Sequence, residues 1–420
     1  MTDYTATSHA GHYRAAAGLR DVMAGQTVTG RQLGIDALRG LVMILMALDH
    51  VRDFIHHDAA VFSPTDLGRT YPQLFVTRWV THFCLPVFMF CAGIGISFWH
   101  RKKGSRVALA RYLLTRGAWF IFLELTIMQL AYNLNVSSKY LILLLILWIF
   151  GICMLAMALL VFLPFRVLLI FSIATICLHN LLDRVNSATF GSAEWLWKMF
   201  HQPGLISIAG HPALVTYTIV PWVAVMTAGF CFGQLYTLNS AVRRKLKIMI
   251  GLAATSAFLV LRFANHYGDP APWSAQKTTL LTILSFVNCT KYPGSLDFLL
   301  MTLGPAILFL AFCDRWTRST VNRLAVFGRV PLFYFILHFF LIHGLLVLMS
   351  FLRYGGAALV FIFNPTPSMG GPGALFPANF GYNLWVVYAA WIGIVMALFP
   401  LCRWYGMMKS KRRAWWMDYL

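Results

Sequence analysis

Runs of mostly apolar residues, each close to the roughly 20 needed to cross a hydrocarbon core, follow one another through most of this 420-residue chain. They fall near residues 35–55, 79–99, 112–131, 140–163, 167–182, 214–236, 247–265, 295–313, 330–352 and 384–403. Only 11% of the residues are charged, against about 25% in a soluble domain. A chain so poor in charge cannot cover itself with a wetted surface, and lipid must replace water around much of it. The expected fold class is all-α, a polytopic membrane bundle of about ten transmembrane helices.

The formal net charge of +20 raises the question of a nucleic-acid partner, but topology accounts for the basic residues. The stretches 14–31, 101–116, 243–247, 315–329 and 403–413, with Arg166, hold 23 of the 34 Lys and Arg, and the opposite loops hold eight. Basic residues concentrate on the cytoplasmic side, so both termini are expected there, which requires an even number of spans. The bilayer is the expected partner, and no nucleic acid is. Residues 1–30 read as a flexible cytoplasmic arm without the pattern of a secretory signal, 31–404 as the transmembrane domain and 405–420 as a basic cytoplasmic tail. The eight Cys are scattered without a CxxC pair and read as apolar packing residues. No repeat, GxxxxGK or GxGxxG motif appears, which argues against solenoids and nucleotide motors. The longer loops, at 56–78, 183–213, 266–294 and 353–383, all lie on the outward side.

The first span breaks the apolar pattern. It reads RQLGIDALRGLVMILMALDHVRDFIHHD, and ionisable groups at such a position usually face a protein interior or a watery cavity. Arg39 and His50 are eleven residues apart, so at about 100° per residue they share one helix face, separated by about 16 Å of rise. Arg39 lies toward the cytoplasm and His50 toward the outer end, and a ligand touching both must be long and thread the membrane. Arg clamps anions, and His takes and returns protons near neutral pH. Asp53, one turn beyond His50, stands where a carboxylate orients a catalytic imidazole. The structural alternative is charge neutralisation along the helix, Asp36 with Arg39 and Asp49 or Asp53 with Arg52 or His57.

The blocks IDALRGLVMILMALDHVRDF and THFCLPVFMFCAGIGISF, with NCTKYPGSLDFLLMTLGPAILFL and FGRVPLFYFILHFFLIH further on, resemble the heparan-alpha-glucosaminide N-acetyltransferase-like catalytic domain family over about residues 31–350. Arg39 and His50, with ten residues between them, also resemble the signature of the wider acyltransferase-3 group. The resemblance implies transfer of an acetyl or other acyl group from cytoplasmic acetyl-CoA to a sugar-like acceptor on the other side of a bacterial inner membrane. It implies that His50 is the catalytic residue, that Arg39 binds or activates the donor and that His338 lines the same cavity. The lysosomal family member departs here, with Asn at the place of His50 and a His in the following loop. The resemblance offers His56 or His57 for the place of that later His, and His57 is a candidate for acceptor binding.

Arg329, at the cytoplasmic start of the ninth span, is a candidate clamp for the donor's phosphates, or a positive-inside anchor. Lys291 and Tyr292 in TKYPGS are candidates for donor and acceptor contacts, or a snorkelling Lys and an interfacial Tyr. Glu124, within the third span, is expected to face the bundle with Arg116 as a partner. His82 and His343 read as interior residues. No metal is expected, because no HExxH-type pattern accompanies the histidines, and a homo-oligomer is possible. A proton-coupled transporter or flippase of a sugar-like or lipid-linked substrate is the alternative function, for which the internal repeats common in such proteins are not apparent.

Overall fold

The computed structural model describes residues 32–58, 61–134, 141–313, 316, 318–362, 377 and 379–411. The expected arm at 1–30, residues 363–376 and 378 of the loop at 353–383 and the last residues of the tail lie outside these. Helix α1 spans Leu33–Ile55. A short helix, Pro72–Val80, leads through one 3₁₀ turn into α2, Cys84–Lys103. Helix α3, Arg106–Leu123, continues through a π-turn at Glu124–Met128 to Asn133. Then come α4 (Ile146–Leu160), α5 (Phe165–Leu178), α6 (Ile219–Phe232), α7 (Ser240–Ala264), α8 (Leu296–Phe312), α9 (Arg318–Gly328), α10 (Pro331–Tyr354) and α11 (Leu384–Lys411).

Among the described residues, seven helical stretches are long and apolar enough to cross a membrane, and α4 and α8 are apolar but shorter. Helix α1 is long enough but carries Asp36, Arg39, Asp49, Arg52 and Asp53. Each expected span thus coincides with a helix, although boundaries differ. Helix α11 runs to Lys411, through the start of the expected tail.

The fold is not purely helical. Strands β1 (Ile142–Leu144), β2 (Gly204–Ile208) and β3 (His211–Val215) form a small sheet in the order β1-β3-β2, with β1 parallel and β2 antiparallel to β3. The expected spans at 140–163 and 214–236 therefore begin in extended chain. A short continuous apolar run such as LILLL is compatible with either a buried strand or a helix. The β2–β3 hairpin turns through Ala209 and Gly210, both at positive φ (49° and 84°), as a two-residue loop matched to strand twist requires.

Glycines set the closest helix crossings, as expected where small residues rather than water-driven burial hold membrane helices together. A Cβ at Gly93 of α2 would sit 1.9 Å from the Met226 carbonyl oxygen of α6, and one at Gly229 would sit 2.1 Å from that of Phe90. Both clashes are with backbone, which cannot rotate away. Gly93→Val is expected to cost at least about 1–3 kcal/mol of stability, read as a lower melting temperature of the purified protein.

Candidate active site

Helix α1 presents Asp49, His50 and Asp53 near its C-terminal end, and α10 faces it with Tyr334, Phe335, His338 and Phe339. His338 is fully buried, and its Nδ1 lies 3.1 Å from the Tyr334 carbonyl oxygen, one turn earlier. A carbonyl only accepts, so Nδ1 carries the hydrogen, and in a neutral ring Nε2 is then an acceptor. That Nε2 lies 2.7 Å from His50 Nδ1. His50 must therefore donate through Nδ1, which leaves the lone pair of its neutral ring on Nε2. The ring is held flat against Phe339, with centroids 4.2 Å apart.

His50 lines a cavity of about 200 Å³ together with Asp49, Asp53, Tyr132, Phe335, Phe339, Tyr217 and Tyr292. Leu143 and Leu214 of the small sheet also line it, so the non-helical insertion forms part of the wall. The expectation that His338 lines this cavity is corrected: it stands behind His50 as its hydrogen-bond partner. Its ring is packed among Tyr334, Phe335 and Phe339 of its own helix.

A compact charge cluster lies beside the histidine. Arg78 Nη1 donates to both oxygens of Asp49 at 2.8 and 2.6 Å, and the Thr81 hydroxyl donates to Oδ1 at 2.8 Å. Arg52 Nη2 lies 2.9 Å from Asp49 and 2.5 Å from Asp53. Asp53 thus neutralises Arg52 and does not orient the imidazole, a second correction. It is one residue from Arg52, and His338 already occupies the orienting position at His50 Nδ1. The pairing of Asp49 and Asp53 with Arg52 follows the neutralising alternative.

Tyr292 enters the cavity from a loop that two buried groups hold in place. Arg262 donates to the carbonyl oxygens of Phe286, Ser285, Asn288 and Ala271. Asp269 accepts from the Thr290 amide and hydroxyl and from the Ser295 hydroxyl. The Tyr292 hydroxyl lies 3.3 Å from Arg78 Nη2 and 3.5 Å from the Tyr217 hydroxyl. Burial pushes its phenol up, but the neighbouring Lys291 and Arg78 cations outweigh this and draw it down to about 8.

Arg39 lies ten residues before Asp49 on α1, about 15 Å along the axis. Its Nη2 donates to the Cys91 carbonyl oxygen at 2.5 Å, and its Nη1 lies 3.8 Å from Asp36. At this end α1 touches α9 backbone to backbone. A Cβ at Gly40 would lie 1.8 Å from the Leu324 carbonyl oxygen, and one at Gly328 would lie 1.9 Å from that of Asp36. Arg329 follows that contact directly, so Arg39 and Arg329 share one end of α1. Lys291 does not join them: it lies at the other end, lining a cavity with Arg52 and Arg78. Lys291 therefore stands apart from Arg39 and Arg329, beside Tyr292 and near the His50 cavity.

His57 does not line the His50 cavity. Its Nδ1 donates to the Tyr382 carbonyl oxygen at 2.9 Å, and its Nε2 lies 3.3 Å from Asp58. His56 donates through Nε2 to the Tyr71 hydroxyl and accepts the Asp58 amide at Nδ1, and burial pushes its imidazole down to about 4. His56, His57 and Asp58 bring donor atoms within 4.8 Å of one another, but both nitrogens of His56 are already engaged. His343 donates to the Ala131 carbonyl oxygen and is an interior residue. Glu124 faces the bundle, but it accepts the amides of Leu145 and Leu147 at the start of α4, with the Tyr132 hydroxyl 3.5 Å away; Arg116 lies over the Phe120 ring.

Sequence reading missed Tyr132, Tyr217 and the Asp49–Arg78 pair as parts of the site. An Arg immediately before an apolar run carries no signal of a site, and only the fold brings Arg78 to α1.

In comparison with known families, residues 31–265 match the family described as heparan-alpha-glucosaminide N-acetyltransferase, catalytic. The match holds α1 with Arg39 and His50 and ends before Lys291, Arg329 and His338. Among curated proteins no relative matches the chain.

Proposed function

The chain belongs to the heparan-alpha-glucosaminide N-acetyltransferase catalytic family, and from that premise we propose that it carries an acetyl group from acetyl-CoA to a sugar-like acceptor across the inner membrane of a bacterium, with His50 as the reacting histidine. Ten crossings with both termini cytoplasmic suit this reading, since ten helices occupy the expected places and the basic residues favour one side.

The observation that carries the proposal is the 2.7 Å contact between His50 Nδ1 and His338 Nε2. It fixes the tautomer of His50, so that its Nε2 lone pair is available in a cavity where an acceptor can lie. As a general base, Nε2 takes the proton of an acceptor amine or hydroxyl while nitrogen or oxygen attacks the thioester carbonyl. The new C–N or C–O bond forms, the C–S bond breaks, and the proton passes to the departing sulfur. A ping-pong route uses the same lone pair: Nε2 attacks the thioester, the C–S bond breaks and the CoA thiolate leaves. The acetyl-imidazole then passes the acetyl group to the acceptor, whose proton is taken up by the thiolate as neutral His50 is restored. Labelled acetyl retained on the protein after donor alone identifies the second route.

Arg39 and Arg329, which adjoin the Gly40–Gly328 contact in sequence, hold the nucleotide phosphates of the donor. Arg329→Ala and Arg39→Ala are each expected to raise KM for acetyl-CoA about tenfold, the loss of one charge-assisted contact. Acetyl-pantetheine, which lacks the nucleotide, should respond to neither change. Equal losses with both donors would remove these arginines from donor binding. Transport of an unmodified substrate remains the competing reading, and assays of thiol release separate the two.

A further inference from the structure

A second cavity, of about 340 Å³, adjoins the one at His50 and shares Asp53 and Tyr292 with it. Its wall holds three cations, Arg52, Arg78 and Lys291. Against them stand two carboxylates, Asp49 and Asp53, both already taken up by the arginines. One positive charge is left over. Among the described residues no carboxylate lies within ion-pair distance of Lys291, whose ammonium sits 5.3 Å from the centre of the Tyr292 ring.

The donors in this wall are incompletely used. Arg52 is 1% exposed, and only its Nη2 is engaged; Nε and Nη1 have no hydrogen-bond partner. His82, also in the wall and 2% exposed, has an unpartnered Nδ1. Buried donors are nearly always satisfied in native proteins. Guanidinium and ammonium groups with spare hydrogens, in a cavity with surplus positive charge, match the oxygens of an anion.

We propose that this cavity is an anion subsite for the acceptor: the sugar whose nucleophile lies at His50 Nε2 carries a carboxylate, sulfate or phosphate group that Lys291, Arg52 and Arg78 bind. This rests on the reading of the His50 cavity as the acceptor site. Lys291 then has its function at the acceptor rather than at the donor.

The test is direct binding to the purified full chain in nanodiscs, without acetyl-CoA, using sodium glucuronate, glucose 6-phosphate, glucose and inorganic phosphate as probes. At least one of the two anionic sugars should bind about tenfold or more tightly than glucose. Lys291→Met should remove that preference while leaving glucose binding unchanged, and substitution of the exposed Lys277 should leave both unchanged. Three results overturn the proposal. They are binding of glucose as tight as that of both anionic sugars, survival of the preference in Lys291→Met, and binding of inorganic phosphate as tight as that of either anionic sugar, which would make this a free-anion site. Because binding is read without donor, failure of acetyl transfer would count against the proposed reaction and leave this result standing.

Discussion

His50→Ala is expected to lower acetyl transfer from acetyl-CoA by about 10³-fold, the range contributed by a positioned general base. Its Nε2 holds the unprotonated lone pair in the cavity, and no other described imidazole lines that cavity. His56 and His57 are bound to Tyr71, Asp58 and Tyr382 instead. Removing His50 also takes the partner from His338, so melting temperature must be followed in parallel. A loss of turnover in a protein that melts like the parent assigns the effect to chemistry. If His57→Ala gave the larger loss, the later histidine of the family would be the base, and the geometry at His338 would be incidental.

The second large effect is expected at His338. His338→Phe leaves the Nδ1 hydrogen of His50 without its acceptor in a buried setting, at a cost of about 1–3 kcal/mol. The ring then exchanges between tautomers and orientations, and kcat should fall roughly 10- to 100-fold. His338→Gln offers an amide oxygen in place of Nε2 and should recover part of the loss. KM for acetyl-CoA should be the same in both variants, because the phosphate contacts proposed for the donor, Arg39 and Arg329, lie at the other end of α1. A raised KM with unchanged kcat would show that His338 touches a substrate, as the resemblance implies.

Much of this was legible in the sequence. Apolar runs located the helices because lipid imposes one length and one polarity on each, and the spacing of Arg39 and His50 placed them on one face of α1 because helical periodicity is fixed. The orienting partner of His50 was misread for an understandable reason. Asp53 is a neighbour at i+3 on the same helix, whereas His338 lies 288 residues away and meets His50 only through the packing of α10 on α1. Asp53 is drawn instead to Arg52, a competition among charges that spacing alone does not resolve. The small sheet was missed because LILLL and HPALV carry apolar content without enough length to separate strand from helix. The neighbours of Lys291 were not legible because loop residues acquire them from the anchoring of the loop, here by Arg262 and Asp269, which leaves no periodic signal.

The most direct test of acetyl transfer across the membrane uses sealed proteoliposomes, with glucosamine inside and labelled acetyl-CoA outside. The account predicts labelled acetylated glucosamine trapped in the lumen, formed with stoichiometric release of external free thiol and absent with His50→Ala. Label appearing only when donor and acceptor share one compartment would contradict it, as would loss of unmodified glucosamine from the vesicles without thiol release.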